Sequence, residues 1–238
     1  MPSPRLNALD QPIGEPLPDW APRPLPPRSP MVGRYGRVEP LEPARHAAEL
    51  FAANAADREG RNWTYLPIGP FAEERAYRAW LETAAGGSDP FFHAILDGES
   101  GRAVGVASYL RLQPEVGVIE VGHINFAPAL QRSRLASEAM YLMMRRVFEE
   151  LGYRRYEWKC DALNAPSRRA AERLGFVYEG TFRQATVYKQ RNRDTAWFAI
   201  IDRDWPAVKA GFEAWLDPAN FDAEGRQRRS LADCRAAP

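Results

Sequence analysis

The chain has 238 residues, of which 45% are hydrophobic and 26% charged, with a formal net charge of +1. That length suits one domain with a sizeable core, and the near-neutral balance argues against nucleic acid or a charged membrane surface as the main partner. No apolar run reaches the ~20 residues of a membrane span, and the N-terminus lacks the pattern of a signal peptide, so a cytoplasmic protein is expected. The two cysteines, Cys160 and Cys234, make no disulfide framework or zinc cluster, and His46, His93 and His123 are too few for a His-rich site, so no metal is expected.

Residues 1–30 hold ten of the 21 prolines. Proline lacks the N–H that helices and sheet ladders use, so this segment reads as an extended arm. Residues 35–41 read as a first strand and 43–54 as a helix, with Pro43 in its first turn. An aromatic loop over 63–70 precedes a helix over 71–85, stopped by Gly86-Gly87. Strands follow at 91–96, 103–112 and 116–126. Residues 133–151 carry apolar side chains at helical spacing. A strand over 155–161 leads to a helix capped by Asn164, with Pro166 in its first turn and Gly175 after its end. Two last strands, 176–188 and 195–202, flank an expected turn at Arg191-Asn192-Arg193-Asp194. Residues 217–238 read as a polar tail, which leaves 31–216 as the domain. Strands that first meander and then alternate with helices predict an α/β fold with a mixed sheet flanked by helices. The unit spanning 116–161 predicts two neighbouring parallel strands.

Three stretches carry a family resemblance. The first is Glu120-Val121-Gly122-His123, continuing through Pro128 to Ser137-Glu138-Ala139. The second is Glu157-Trp158-Lys159-Cys160-Asp161 with Asn164, Ser167 and Arg168, closing at Leu174-Gly175-Phe176. The third is Glu179-Gly180 with the downstream Arg191-Asn192-Arg193-Asp194. Together they resemble the GNAT superfamily of N-acetyltransferases, in its RimJ/RimL-like branch. The resemblance implies a six- to seven-stranded mixed sheet, acetyl-CoA as cosubstrate and an amine as acceptor, either a protein N-terminus or a small molecule. It leaves room for a homodimer, with the arm or tail serving assembly. The alternative is a non-catalytic CoA-binding module that keeps the fold.

The resemblance also implies a site. A turn feeding a helix N-terminus offers free N–H groups and a positive dipole end to a pyrophosphate. Here that turn comprises Arg132, Ser133, Arg134, Leu135, Ala136 and Ser137. The two positions where the family pattern has small residues are Arg132 and Arg134, which either contact phosphate with ordinary backbone angles or stand as solvated helix-start residues. Pantetheine would lie against Ile124, Asn125 and Phe126, whose backbone would face the thioester. Asn164 and Arg168 would reach the cofactor arm, with Asn164 also a plain helix cap.

For the amine proton, the candidates are Glu120, His123 or a water chain. Strict alternation puts Glu120 and His123 on opposite faces, unless a bulge near Gly122 intervenes. The tyrosine that many family members place four residues before the Gly-Phe pair is replaced by Ala171. Ser167 then either protonates the leaving sulfur or bonds locally to backbone. Trp63 and Tyr65 either shape the acceptor cleft or pin their loop to the core. Arg191 to Asp194 are either a charged turn or a guide for an anionic acceptor.

Overall fold

The middle strands are buried in near-continuous runs, as strands covered on both faces must be, and their successive side chains divide between two cores. The computed structural model describes residues 5–236. In chain order the elements are β1 (Arg5–Leu6), β2 (Pro12–Ile13), β3 (Met31–Val32), β4 (Gly36–Pro40), α1 (Pro43–Asn54), α2 (Glu74–Ala85), β5 (Phe91–Asp97), β6 (Ala103–Gln113), β7 (Val118–Phe126), α3 (Arg134–Arg145), β8 (Arg155–Asp161), α4 (Ala165–Leu174), β9 (Val177–Tyr188), β10 (Arg191–Ile201), α5 (Trp205–Leu216) and α6 (Leu231–Ala236). The main sheet has eight strands in the order β3-β4-β5-β6-β7-β8-β10-β9. Its neighbours are antiparallel except β7 and β8, which are parallel, as the strand–helix–strand pattern requires. The count exceeds the expected six to seven because Met31 and Val32 add a short edge strand on β4.

One face carries Tyr109, Ile119, Val121, Tyr156 and Phe198, packed with Met143, Met144 and Phe212 of α3 and α5. The other carries Phe92, Ala94 and Val106, packed with Leu50, Tyr77 and Leu81 of α1 and α2. Helix α2 starts at Glu74, not at residue 71, because Phe71 leaves the helix to pack among Trp63, Tyr77 and Trp80. The expected Arg191–Asp194 turn is instead part of β10. The reversal is made by Lys189 and Gln190, both left-handed at φ 46° and 58°, as a two-residue hairpin turn requires.

The arm and the end of the chain both fold against the domain. β1 and β2 pair as a small separate hairpin. Downstream, the Trp20 indole donates to Glu115 O at 2.7 Å, and Arg23 N donates to Pro114 O at 3.1 Å. Where a polar tail is expected, α6 packs on α5 and buries Leu231 and Cys234. The long helix expected over 133–151 ends its regular α-helical part at Arg145 and widens into a π-helical turn, Arg146–Glu150. Arg146 is only 3% exposed. It donates to Ser29 O at 2.7 Å and to Ser29 Oγ and Pro30 O at 3.2 Å, and it pairs with Glu150 at 3.0 Å. Arg146→Met would strip these donors from the arm. It is expected to cost about 2–3 kcal/mol in urea unfolding and to make residues 5–30 more sensitive to limited proteolysis.

Candidate active site

The site begins where the two parallel strands part. Pairing between β7 and β8 runs from Val118↔Arg155 to Val121↔Trp158 and then stops. Beyond it, β7 stays with β6 as far as Phe126, while β8 stays with β10 as far as Asp161. The result is a V-shaped opening in the sheet. Its local cause is a bulge. Ser108 pairs with Gly122 and Val106 with Asn125, so His123 and Ile124 together face Ala107. His123 carries the strain, at φ 48°.

This extra residue reverses the alternation. His123 Nδ1 lies 2.9 Å from Ser108 Oγ, and its ring lies 5.0 Å from that of Phe92. Ser108 and Phe92 belong to the face that carries Glu120, so the bulge brings Glu120 and His123 to one side. Burial lowers the His123 pKa and nearby Arg111 lowers it further, against a smaller opposing effect of Asp89.

Glu120 is 3% exposed and fully engaged. Arg111 Nη1 bonds both of its oxygens at 2.7 and 2.6 Å, and Lys159 Nζ lies 2.9 Å away. Lys159 also pairs with Glu157 at 2.7 Å and sits 3.7 Å from the centre of the Trp197 ring. Arg155 continues the chain to Glu157 and Glu179. The floor of the opening is therefore a row of alternating charges. Arg111 and Lys159 were not singled out by sequence reading, because two cations either side of a carboxylate look like ordinary surface charge until the strands are paired.

At the mouth, Ser133 caps α3. Its Oγ accepts from Ala136 N at 3.0 Å. That leaves the Arg134 and Leu135 amides, at the first two positions of the helix, without a helical carbonyl to bond. The Ser137 hydroxyl is taken by Arg173 of α4 at 3.0 Å and belongs to helix packing. Arg132 is left-handed at φ 59°, so the ordinary backbone angle expected for it is not what the loop uses; it keeps the conformation that a glycine would supply. The Arg134 guanidinium lies between the rings of Tyr35 and Phe221, at 4.8 and 4.9 Å. The Phe126 carbonyl is occupied by Asn62 at 3.2 Å and Gln131 at 2.9 Å. Asn125 is different. Both polar atoms of its side chain are buried with no hydrogen-bond partner among the described residues.

On the far side, Asn164 accepts from Ser167 N at 3.1 Å as an N-cap. Ser167 Oγ accepts from Trp158 Nε1 at 3.0 Å, and its hydroxyl also lies within hydrogen-bond reach of the Cys160 thiol. Arg168 donates to Ala162 O at 3.3 Å. Trp63 is buried against Phe71 and Tyr77 as a core anchor. Tyr65 stays at the rim, its hydroxyl on Leu163 O at 3.2 Å. Lys189 and Arg191 donate to Trp63 O and Thr64 O at 2.8 and 2.6 Å, so the β9–β10 hairpin ties down this loop. Arg191 is thereby committed to the loop. Asp161, at the end of β8, accepts from Tyr188 Oη of β9 at 2.8 Å, past the intervening β10.

The model of the acetyltransferase (GNAT) domain family matches residues 37–177, more than half of the chain. This protein belongs to the GNAT acetyltransferase family. A GCN5-related N-acetyltransferase from Brucella melitensis is 47% identical and superposes with a TM-score of 0.91, covering 93% of this chain and 100% of that one. A GNAT-family acetyltransferase from Chromobacterium violaceum is 41% identical with a TM-score of 0.77, covering 86% and 100%. An uncharacterized N-acetyltransferase of Bacillus subtilis is 28% identical over 141 residues, 59% of this chain and 81% of its own length. RimL, a ribosomal α-N-protein acetyltransferase, is 18% identical with a TM-score of 0.62 and shares the fold. The family relationship supports an acetyl-CoA-dependent transferase, and the fold implies an acetyl-CoA site. The opening fits that group through the orphaned Asn125 amide and the free amides of α3. Among the described residues there is no cluster of His, Cys, Asp and Glu able to hold a metal, and no helix long and apolar enough to cross a membrane.

Glu120→Gln removes charge from a buried network and leaves Lys159 with Glu157 alone. It is expected to cost about 3 kcal/mol of stability, measured by urea unfolding at neutral pH.

Proposed function

We propose that this GNAT acetyltransferase moves an acetyl group from acetyl-CoA to a primary amine, with His123 taking the amine proton. The observation that carries the reading is the bulge that turns a neutral imidazole onto the face of the opening. An alkylammonium has a pKa of about 10 and cannot attack until it loses a proton. Glu120 is a weaker candidate, since both of its oxygens are held by Arg111 and Lys159. His123 Nδ1 meets only Ser108, and its Nε2 has no protein hydrogen bond among the described residues.

Bound acetyl-CoA supplies an activated acyl group. In this reading the chain does the rest. The amides of Arg134 and Leu135, and the Arg132 side chain, hold the phosphates. Asn125 and the unpaired backbone of Ile124 receive the polar arm. Ser167, held by Trp158, would turn its hydroxyl to hydrogen-bond the sulfur, which departs as the thiolate. Tyr65 borders the acceptor. The acceptor is either a protein N-terminus, the substrate type of the RimJ/RimL-like branch, or a small-molecule amine. The likeness to RimL rests on fold, so it does not choose between them.

A panel of amines with acetyl-CoA, followed by release of free CoA thiol, tests the activity. His123→Gln is expected to lower kcat by about 10²–10³ while leaving CoA affinity unchanged. Full turnover by this variant would sink the assignment. Because the folded-state pKa is lowered, the imidazole stays unprotonated as pH falls through 6.5, its ordinary value. The acidic limb of kcat/KM should therefore lie below pH 6.5, and His123→Gln should lose that limb. Failure of every amine in the panel, with CoA still bound, would favour a binding module.

A further inference from the structure

Ser108 is a hydroxyl in the middle of a sheet, 0% exposed, where an alanine would pack as well. Its Oγ has two neighbours. Gly122 O is 3.2 Å away, and His123 Nδ1 is 2.9 Å away. A serine has one proton to give. If it went to Nδ1, the Gly122 carbonyl would face an oxygen with nothing between them. Both contacts are hydrogen bonds in only one arrangement, in which Ser108 donates to Gly122 O and His123 Nδ1–H donates to Ser108 Oγ.

Resting on the reading of His123 as base, we infer that Ser108 is a positioning residue that holds His123 in the Nδ1–H tautomer and so leaves the Nε2 lone pair for the amine proton. The bulge explains why a hydroxyl is needed here. Two residues of β7 face the single Ala107, so the Gly122 carbonyl falls where the ladder is disturbed, and Ser108 supplies its donor. As the C–N bond forms and the C–S bond breaks, the amine proton goes to Nε2 and the sulfur leaves with its electron pair. The Nδ1–H bond to Ser108 persists in the imidazolium, so taking the proton requires no reorganisation at that end.

The groups that face this ring are Phe92 of β5 beneath it, Arg111 of β6, Asp89 of the loop before β5, and Glu120 of its own strand, which Arg111 and Lys159 of β8 neutralise. The chain has two other histidines, and each differs from His123. His46 Nδ1 accepts from Glu42 N at 3.0 Å, so its proton sits on Nε2, toward Glu39 at 3.0 Å. His93 is buried with neither ring nitrogen partnered. An Nδ1–H histidine opposite a well-defined Nε2–H internal reference is thus a distinct spectroscopic target.

The test uses the full chain, ¹⁵N-labelled and saturated with CoA, with long-range ¹H–¹⁵N correlations of the imidazoles at a pH where they are neutral. The expected spectrum has His46 as Nε2–H and His123 as Nδ1–H. Ser108→Ala should shift His123 toward a mixture of tautomers and lower kcat about tenfold, with KM for acetyl-CoA unchanged. Ser108→Thr, which keeps the hydroxyl, should restore both. An Nε2–H signal for His123 in the unaltered protein overturns the inference without any variant having to fold. So does a Ser108→Ala protein with unchanged tautomer and turnover. If His123→Gln is slow but Ser108→Ala is silent, the Ser108 role alone fails. If His123→Gln turns over normally, the base assignment fails, and the role of Ser108 in catalysis falls with it.

Discussion

One inserted residue governs this molecule. A parallel pair that continued past Val121 and Trp158 would close the sheet and leave no room for a thioester arm. The bulge at His123 bends β7 toward β6 at that point, and β8 follows β10 instead. The same residue shifts the period-two pattern by one, so side chains beyond it exchange faces. Opening and orientation therefore share a cause. The backbone strain of a left-handed histidine, of order 1–3 kcal/mol, is sustained by the ladders on either side of it.

The charged floor fits the same logic. Taking Glu120 and Lys159 out of water costs several kcal/mol for each ion, and the row of opposite charges from Arg111 to Glu179 offsets that cost. Trp197 adds an aromatic face over the Lys159 ammonium. A neutralised row gives a rigid surface with no strong net field. Beside this row, His123 is the one imidazole that the bulge brings to the same face.

Much of the architecture could be read in the residues. The apolar runs of the middle strands, the long apolar stripe of α3, the Asn164 cap and Gly175 stop of α4, and the parallel pairing of β7 with β8 all follow from local pattern. What escaped depended on partners distant in sequence. Residues 191–194 look like a turn by composition, but β8 and β9 recruit them into a ladder. Residues 217–236 look polar, yet Leu231 and Cys234 are spaced to bury one side against α5. A paired Glu120 is conceivable from sequence, but its partners Arg111 and Lys159 are named only once the neighbouring strands are in place. Ser108 carries no motif at all, and its interest appears only when the bulge places a ring beside it.

The Arg134 side chain gives the two ends of the domain a shared fate. Its backbone opens α3, while its guanidinium is clasped between an early tyrosine and a late phenylalanine. The start of that helix is thus braced by two segments that lie 186 positions apart in the chain. Loss of either ring would free the guanidinium without touching the helix itself, so two distant segments share control of one side chain.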